Sequence, residues 1–152
     1  MIEFETSIVL TNGCFDGLHY GHVQLLQEAK KLGSKLIVLV DSDKSLDSQK
    51  GSRRLLPEHE RLAMIQALGC VDEARLYNAC DLLSIIMEIC PSYYVKGADY
   101  DLGSLKPYGI IRTLEEVGTK IEFIPLNDTK FRVMIGLVKS FKELFLTGGI
   151  EK

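Results

Sequence analysis

The chain has 152 residues, 46% of them hydrophobic, and a formal net charge of −3 at pH 7. This length favours one domain with a full core, and the weakly acidic balance excludes a general attraction for nucleic acids or anionic membranes. No apolar run approaches the roughly 20 residues that a membrane helix needs, and no signal-peptide pattern opens the sequence. We therefore expect a cytoplasmic protein that binds neither membranes nor nucleic acids.

Cysteine usage agrees with this expectation. Cys70, Cys80 and Cys90 lie among apolar neighbours and show no spacing typical of a disulfide framework. They predict reduced thiols in the core of a cytosolic protein.

Strand and helix signals alternate along the chain. Apolar runs predict strands over residues 8–11, 36–40, 71–77, 93–95 and 121–124, and apolar residues at helical spacing predict helices over 23–32, 57–69, 82–89 and 108–117. Gly33 and Gly69 stand where the first two helices should end. The alternation predicts an α/β fold: a single-domain, Rossmann-like, doubly wound parallel sheet of about five strands with helices on both faces. Ligands of such sheets bind at the carboxyl ends of the strands.

The end of the chain carries one more helical pattern. The apolar residues that recur at helical spacing are Met134, Leu137, Val138, Phe141, Leu144 and Phe145. We expect residues 1–130 to form the main domain and residues 131–152 a C-terminal helix and tail. Docking of this helix on its own core is the commonest arrangement, and pairing with a second subunit in a homodimer is the alternative.

His19-Tyr20-Gly21-His22 is the most specific motif in the sequence. It lies where the first predicted strand turns into the first predicted helix, in a segment that also contains Gly13 and Gly17. Backbone N–H groups at a helix start are unpaired, and the helix dipole favours negative charge there. Two imidazoles beside such a cluster of amides predict a site for a polyphosphate.

Other ligands fit this segment less well. Cys14, His19 and His22 would give three zinc ligands, but the sequence offers only one further histidine, His59, and no close cysteine pair. We therefore expect no metal bound by the chain alone. A Walker A loop would need a following Gly-Lys-Ser/Thr, and the glycines do not have the G-x-G-x-x-G spacing of a dinucleotide site.

A cluster of cations follows the second predicted strand. Residues 41–56 include Lys44, Lys50, Arg53 and Arg54 and are too polar for a core segment. We expect them on a mobile loop that closes over phosphates and screens the charge that builds up during group transfer.

The segment after the fourth predicted strand reads Val95-Lys96-Gly97-Ala98-Asp99-Tyr100. Gly97 permits close approach of the backbone to a ligand. Lys96 is either a ligand contact or an ordinary charge at a strand end, and Asp99 either binds a hydroxyl or caps a turn. The position at the carboxyl edge of the sheet favours ligand contact for both.

Together these residues resemble the nucleotidyltransferase superfamily marked by the H-x-G-H signature, over residues 11–126. The first motif, Thr11-Asn12-Gly13-Cys14-Phe15-Asp16 with Leu18-His19-Tyr20-Gly21-His22, is similar to the cytidylyltransferase-like branch. Four later features are similar to the adenylyltransferase domain of ADP-heptose synthesis: Ser42-Asp43, Lys50-Gly51 with Arg54, Val95-Lys96-Gly97 with Asp99-Tyr100, and Ile124-Pro125-Leu126.

The resemblance implies a reaction. An oxygen of a sugar 1-phosphate, similar to heptose 1-phosphate, attacks the α-phosphorus of ATP in line, and pyrophosphate leaves without a covalent enzyme intermediate. Mg²⁺ is implied as a cofactor held mainly by the nucleotide phosphates. The alternative is a CTP-dependent transfer to glycerol 3-phosphate or a similar small alcohol phosphate.

The resemblance also implies roles for individual residues. The implied catalytic residues are His19, His22 and Lys50. The implied nucleotide-binding residues are Asn12, Gly13, Cys14, Phe15, Gly21, His22, Arg54, Lys96, Gly97, Thr129 and Arg132. The acceptor is implied to bind Asp16, Lys50 and Asp99.

One segment departs from the family pattern. Residues 127–134 stand where the family usually carries a Gly-x-Ser-Thr-Thr motif, and within them Thr129 alone keeps a hydroxyl. Lys130 or Arg132 would replace lost neutral donors with charge. A lost hydrogen bond to a phosphate costs about 1.5–3 kcal/mol, so a catalytically weakened, nucleotide-binding module is a further alternative.

Overall fold

A computed structural model describes residues 5–50, 54–98, 100–105 and 109–125, together with residues 137 and 140; at residues 49 and 50 it describes the backbone alone. The strands are β1 (Ile8–Gly13), β2 (Lys35–Asp41), β3 (Glu73–Tyr77), β4 (Tyr93–Gly97) and β5 (Lys120–Ile124). The helices are α1 (Tyr20–Lys30), α2 (Asp43–Lys50), α3 (Glu58–Gln66), α4 (Leu82–Ile89), α5 (Leu102–Leu105) and α6 (Ile110–Glu116). A 3₁₀ turn, Ala79–Asp81, precedes α4.

The five strands form one parallel sheet in the order β3-β2-β1-β4-β5. The chain moves outward from β1 to β3, crosses back to β4 and continues to β5. The predicted α/β fold class is therefore confirmed. The direction of winding changes between β1 and β4, and the carboxyl ends of these two strands are the expected place for a ligand.

Both faces of the sheet are covered by helices. Side chains of a strand alternate between the faces: Val38 and Val40 of β2 pack in one core cluster with residues of α1 and α3, whereas Ile37 and Leu39 pack with residues of α4 and α6. Burial on both faces explains why β2 has the continuous apolar sequence that predicted it.

Helix α2 forms where the sequence predicted a mobile loop. Ser42 caps this helix, because its hydroxyl accepts the N–H of Ser45 at 3.1 Å and its carbonyl accepts the N–H of Leu46 at 3.1 Å. Ser45 and Leu46 are buried on the inner side of the helix. The prediction of a loop was wrong because α2 has only one apolar residue on its buried face, Leu46, and one residue gives no helical periodicity.

Two cysteines are not in the core, contrary to the prediction. Cys80 and Cys90 are exposed, and Cys70 is partly buried. Cys80 lies in the 3₁₀ turn before α4, and Cys90 follows α4 in the left-handed backbone region with φ of 46°. The apolar residues next to these cysteines in the sequence belong to the buried face of α4. The two cysteines lie at the ends of the helix, so the burial of their neighbours does not extend to them.

The predicted C-terminal helix lies outside the described residues except at Leu137 and Ser140, which are both helical. The division of the chain at residue 130 and the pairing with a second subunit therefore stay predictions. In the part of the chain that the structure describes, no helix has both the length and the apolar character to cross a membrane.

Gly33 gives a test of packing at the amino end of the sheet. A Cβ at this position would lie 2.5 Å from the carbonyl oxygen of Ser7 and 2.8 Å from Cγ2 of Val9. Because the backbone would have to shift, we expect Gly33→Ala to lower the free energy of unfolding by about 1–3 kcal/mol in urea denaturation.

Gly69→Ala is the matched control. A Cβ at Gly69 would meet no described atom within 4 Å, so we expect a change of less than about 0.5 kcal/mol. Equal losses at Gly33 and Gly69 would show that the close approach at Gly33 does not matter.

Candidate active site

The loop between β1 and α1 contains two residues with left-handed backbone. Phe15 has φ of 51° and Gly17 has φ of 74°. For a bulky residue such as Phe15 this conformation costs about 1–3 kcal/mol and persists only where the surroundings enforce it. The Phe15 ring is buried in the core and meets the His22 ring edge-on at 5.4 Å between centroids. The buried ring therefore fixes the path of the loop.

The two histidines of the motif cap the start of α1 for each other. His19 is the N-cap residue, and its Nδ1 accepts the N–H of Gly21 at 3.1 Å. The backbone N–H of His19 donates to Nδ1 of His22 at 3.2 Å. The two rings stack with 3.8 Å between centroids. This is a capping box in which imidazoles take the places usually filled by Ser or Thr and Glu or Gln.

The capping box fixes the tautomer of both rings. Because each Nδ1 accepts a backbone N–H, a neutral imidazole here carries its proton on Nε2. His19 and His22 therefore present Nε2–H as a donor at the positive end of the α1 dipole. This is the chemistry that a polyphosphate needs.

Arg61 joins this loop to two other segments, and the sequence analysis missed it. Its guanidinium is fully buried and donates to the carbonyl of Cys14 at 2.7 Å, to the carbonyl of Leu56 at 3.1 Å and to Asp43 Oδ1 at 2.8 Å. Leu62 and Ile65 lie on the inner side of α3 as predicted, and Leu68 packs against the same core just after the helix ends. No pattern in the sequence marks an arginine among them as buried.

Asp16 and Arg54, two predicted ligand contacts, lie at the same junction. Both carboxylate oxygens of Asp16 accept backbone N–H groups, from Leu55 at 2.8 Å and from Leu56 at 3.0 Å. Arg54 is 3.2 Å from Asp43 Oδ1 and forms a further ion pair with Asp47. Asp16 thus positions the chain before α3, and its contact with an acceptor stays a prediction, as does a phosphate contact of Arg54.

The electrostatics of Asp43 follow from these contacts. Partial burial favours a higher pKa, but the hydrogen bond from Arg61 and the charge of Arg54 outweigh it and lower the pKa of Asp43 below its usual range. Asp43 is therefore an anion that two guanidinium groups hold at the start of α2.

A cavity of about 360 Å³ opens at the carboxyl edge of the sheet. Its described lining residues come from the ends of β1, β2, β3 and β4 and from α4, α5 and α6; they are Asn12, Gly13, Cys14, Asp41, Tyr77, Ala79, Leu82, Leu83, Tyr94, Lys96, Tyr100, Ser104, Leu105 and Ile110. The volume lies in the range of small-molecule sites. Four predicted nucleotide contacts are among these residues: Asn12, Gly13, Cys14 and Lys96.

A chain of hydrogen bonds forms the polar floor of the cavity. The Tyr94 hydroxyl donates to Oδ1 of Asn12, and Nδ2 of Asn12 donates to the Tyr77 hydroxyl at 2.6 Å. Asp41 stands opposite Tyr77 in the register of β2 and β3. The sequence analysis did not single out Tyr77, Tyr94 or Asp41. The position of Asp41 directly after an apolar strand was the available signal.

Burial and charge keep both phenols protonated. Burial, and then the Asp41 carboxylate, raise the pKa of Tyr77, and burial followed by the neighbouring Tyr100 and Asp41 raises the pKa of Tyr94. The ammonium group of Lys96 donates to the carbonyl of Asn12 at 2.6 Å and lies 4.9 Å from the centroid of the Tyr100 ring. The floor thus combines neutral hydroxyls with one anion and one cation.

The remaining predicted site residues are placed as follows. Gly21 is buried in the first turn of α1, and Gly97 is the buried last residue of β4. The side chain of Lys50 and the residues Asp99, Thr129 and Arg132 lie outside the described part of the chain. Among the described residues, no three His, Cys, Asp or Glu side chains form a group that could hold a metal ion.

The match to a family model, on a parallel sheet of this order with a histidine-capped first helix, assigns the chain to the nucleotidyltransferases. The chain belongs to the cytidylyltransferase-like family, whose family model matches residues 10–143.

A curated relative is bifunctional protein HldE of Trichlorobacter lovleyi, which is 40% identical over 126 residues, covering 81% of this chain and 25% of HldE. The chain thus spans about a quarter of the length of the curated relatives that it matches.

Two solved structures share the fold. The lipopolysaccharide core biosynthesis protein from Thermoplasma volcanium has a TM-score of 0.65 and 30% identity, with 80% of this chain and 97% of that chain covered. Pantothenate synthetase from Thermus thermophilus has a TM-score of 0.56 and 15% identity, with 80% of this chain and 56% of that chain covered. At 15% identity, the similarity to pantothenate synthetase concerns the fold alone.

The ion pair of Asp43 with buried Arg61 predicts a pH-dependent stability. Because the pKa of Asp43 is lowered on folding, its contribution is present above the unfolded value of 3.8 and is lost as the pH falls through the folded value. We expect Asp43→Asn to cost about 1–3 kcal/mol at pH 7, since Arg61 loses a charged partner. In urea titrations this cost should shrink as the pH falls below 3.8 and through the lowered pKa of folded Asp43.

Asp47→Asn is the control for this measurement. Asp47 is exposed and pairs with Arg54, not with the buried Arg61. We expect a smaller loss at pH 7 than for Asp43→Asn. A cost of Asp43→Asn that stays constant from pH 7 to acid pH would contradict the assignment.

Proposed function

We propose that the protein transfers AMP from ATP to a sugar 1-phosphate similar to heptose 1-phosphate and releases pyrophosphate. The observation that carries the proposal is the pair of stacked imidazoles at the start of α1, each with Nδ1 engaged by a backbone N–H. The choice of acceptor is supported by the resemblance to the adenylyltransferase domain of ADP-heptose synthesis. The names of the relatives, bifunctional protein HldE and a lipopolysaccharide core biosynthesis protein, support it further.

In this proposal the chain works by positioning and by electrostatic stabilisation. The acceptor phosphate oxygen attacks the α-phosphorus of ATP, a P–O bond forms, and the bond between the α-phosphorus and the bridging oxygen breaks with its electron pair on pyrophosphate. His19 and His22 donate from Nε2 to the triphosphate, where negative charge builds up. Donors fixed before the reaction stabilise this charge without having to reorganise.

Cations on α2 and after it complete the proposed phosphate site. We assign Lys50 to the reacting phosphates and Arg54 to a phosphate contact. The capping of α2 by Ser42 and the bond from Arg61 to Asp43 hold the start of this helix at the sheet edge. The hydrogen bond from Arg61 to Cys14 ties the same region to the loop that leads to His19. This connection supports a joint role of the two segments.

Mg²⁺ is proposed as the cofactor, carried by the nucleotide. Both oxygens of Asp16, the carboxylate nearest the motif in sequence, already accept backbone N–H groups. The described residues therefore fit an ion held by phosphate oxygens and water better than one held by a protein cage. When bound, the ion would neutralise phosphate charge.

Two alternatives have specific support. The family description and the first motif favour a cytidylyltransferase that uses CTP and glycerol 3-phosphate or a similar small alcohol phosphate. The departure from the Ser/Thr-rich motif at residues 127–134 favours a module that binds nucleotide without turnover.

Substitution of His22 tests the role of the imidazoles. We expect His22→Gln to lower kcat by about 100-fold or more while the melting temperature stays close to wild type. A glutamine at this position can still accept the backbone N–H of His19, as in an ordinary capping box, but it has no imidazole. His22→Ala should lose as much activity and also some helix stability.

His59→Ala is the control, because His59 is an exposed histidine on α3 away from the motif. Its activity should match wild type. Full turnover of His22→Gln would remove His22 from the catalytic residues.

A pyrophosphate-release screen tests the substrates. We expect release with ATP and a sugar 1-phosphate, and at least about tenfold lower kcat/KM with CTP, because the resemblance favours adenylyl transfer. A clear preference for CTP with glycerol 3-phosphate would support the cytidylyltransferase instead. Tight nucleotide binding with no turnover on any acceptor would support the binding module.

A further inference from the structure

The cavity and the histidine pair lie on different sides of the sheet edge. Helix α1, which begins with the motif, packs on one face with α3, whereas α4, α5 and α6 line the cavity on the other face. The segment Asn12–Cys14 passes between them and lines the cavity. The described lining residues do not include His19 or His22. Two neighbouring compartments therefore share one loop, which suits a reaction with two substrates.

The charges of the cavity argue against a triphosphate inside it. Among its described lining residues, Asp41 is the one carboxylate and Lys96 the one cation. A polyphosphate in this volume would lie close to the Asp41 carboxylate without the surplus of positive charge that it needs. A neutral group with several hydroxyls would instead find acceptors and donors.

We propose that the cavity binds the hydroxyl-bearing body of the acceptor and that Asp41 is a specificity-determining residue, which selects an uncharged polyol and rejects one with a second phosphate. The inference rests on the proposed function and names the part of the substrate that each compartment takes. The reacting phosphate lies toward the Asn12–Cys14 segment and the nucleotide. Asn12 is thereby assigned to the acceptor and not to the nucleotide.

The direction of the hydrogen bonds supports this assignment. Tyr94 donates to Asn12, and Asn12 donates to Tyr77. Both polar atoms of the Asn12 side chain are thus engaged, and the oxygen of Tyr77 accepts. The Tyr77 hydroxyl in turn shares a side-chain hydrogen bond with Asp41, so its one proton is donated to that carboxylate. A carboxylate has several lone-pair sites, so a sugar hydroxyl at this point donates to Asp41 beside the Tyr77 hydroxyl.

The rest of the cavity fits the carbon side of a sugar. Leu82, Leu105 and Ile110 are buried apolar residues that line the wall opposite the polar floor. An apolar wall with a few convergent polar groups is the usual composition of a site for a small polar ligand. A second phosphate on the acceptor body would meet this wall or Asp41, and among the described lining residues Lys96 is the one cation that could offset its charge.

Calorimetric binding to the full chain tests the inference directly. The probes are glucose and mannose 1-phosphates and the matching 1,6-bisphosphates, each with and without a non-hydrolysable ATP analogue. We expect wild type to bind at least one 1-phosphate about tenfold or more tightly than its bisphosphate. In Asp41→Asn this preference should fall to about twofold or less, because the substitution keeps the shape and removes the charge.

A second variant and a control keep the result interpretable. Tyr77→Phe removes one hydroxyl from the floor and should weaken binding of the 1-phosphate about tenfold, with the melting temperature reported beside it. Asp81→Asn removes one exposed carboxylate near α4, outside the cavity lining, and should bind both probes as wild type does.

Three outcomes would overturn the inference. The first is a preference for the 1-phosphate over the bisphosphate that is unchanged in Asp41→Asn, and the second is that wild type binds neither probe. The third is that Asp41→Asn loses affinity for the ATP analogue and keeps its affinity for the sugar phosphate, which would place the nucleotide in the cavity. The pyrophosphate-release screen separates the two proposals. Turnover of a sugar 1-phosphate with an unchanged preference in Asp41→Asn overturns the role of Asp41 and leaves the adenylyltransferase in place. If wild type prefers the 1-phosphate in binding but shows no turnover with any nucleotide, the role of Asp41 stands and the adenylyltransferase is overturned.

Discussion

The arrangement of the site depends on a buried guanidinium. Arg61 has no exposed surface and donates to the carbonyls of Cys14 and Leu56 and to the carboxylate of Asp43. A buried cation is tolerated only where its donors are satisfied, and removing a partner is then costly. The loop after β1, the segment before α3 and the start of α2 must therefore keep their relative positions. This constraint brings the motif on one side of β1 into fixed relation with the start of α2.

Around this point the sheet edge is divided into two chemically different compartments. On the side of α1, stacked imidazoles and the start of a helix offer donors to negative charge. On the side of α4 to α6, the cavity floor combines two hydrogen-bonded phenols and an amide with the Asp41 carboxylate and the Lys96 ammonium group. The change in winding direction between the neighbouring strands β1 and β4 creates the crevice. The alternation of side chains along the strands then gives its two sides different residues.

Much of the fold could be predicted because its signals are local. Apolar runs located all five strands, and helical spacing located α1, α3, α4 and α6. Helix α2 was missed because only Leu46 marks its buried face with an apolar side chain, and the exposure of Cys80 and Cys90 was missed because apolar sequence neighbours are not spatial neighbours. The histidine motif and its place at a strand-to-helix junction were also legible in the sequence, since a capping box spans only four residues.

The sequence by itself therefore determined the order of the five strands and of four helices, the parallel sheet and the imidazoles at the start of α1, because each follows from residues within a few positions of one another. Tertiary structure decided which distant groups meet. Asn12 bonds to tyrosines 65 and 82 positions away, and Arg61 reaches Cys14 across 47. Whether an arginine is buried or a tyrosine faces a cavity depends on how the helices cover the sheet, and no local periodicity records that.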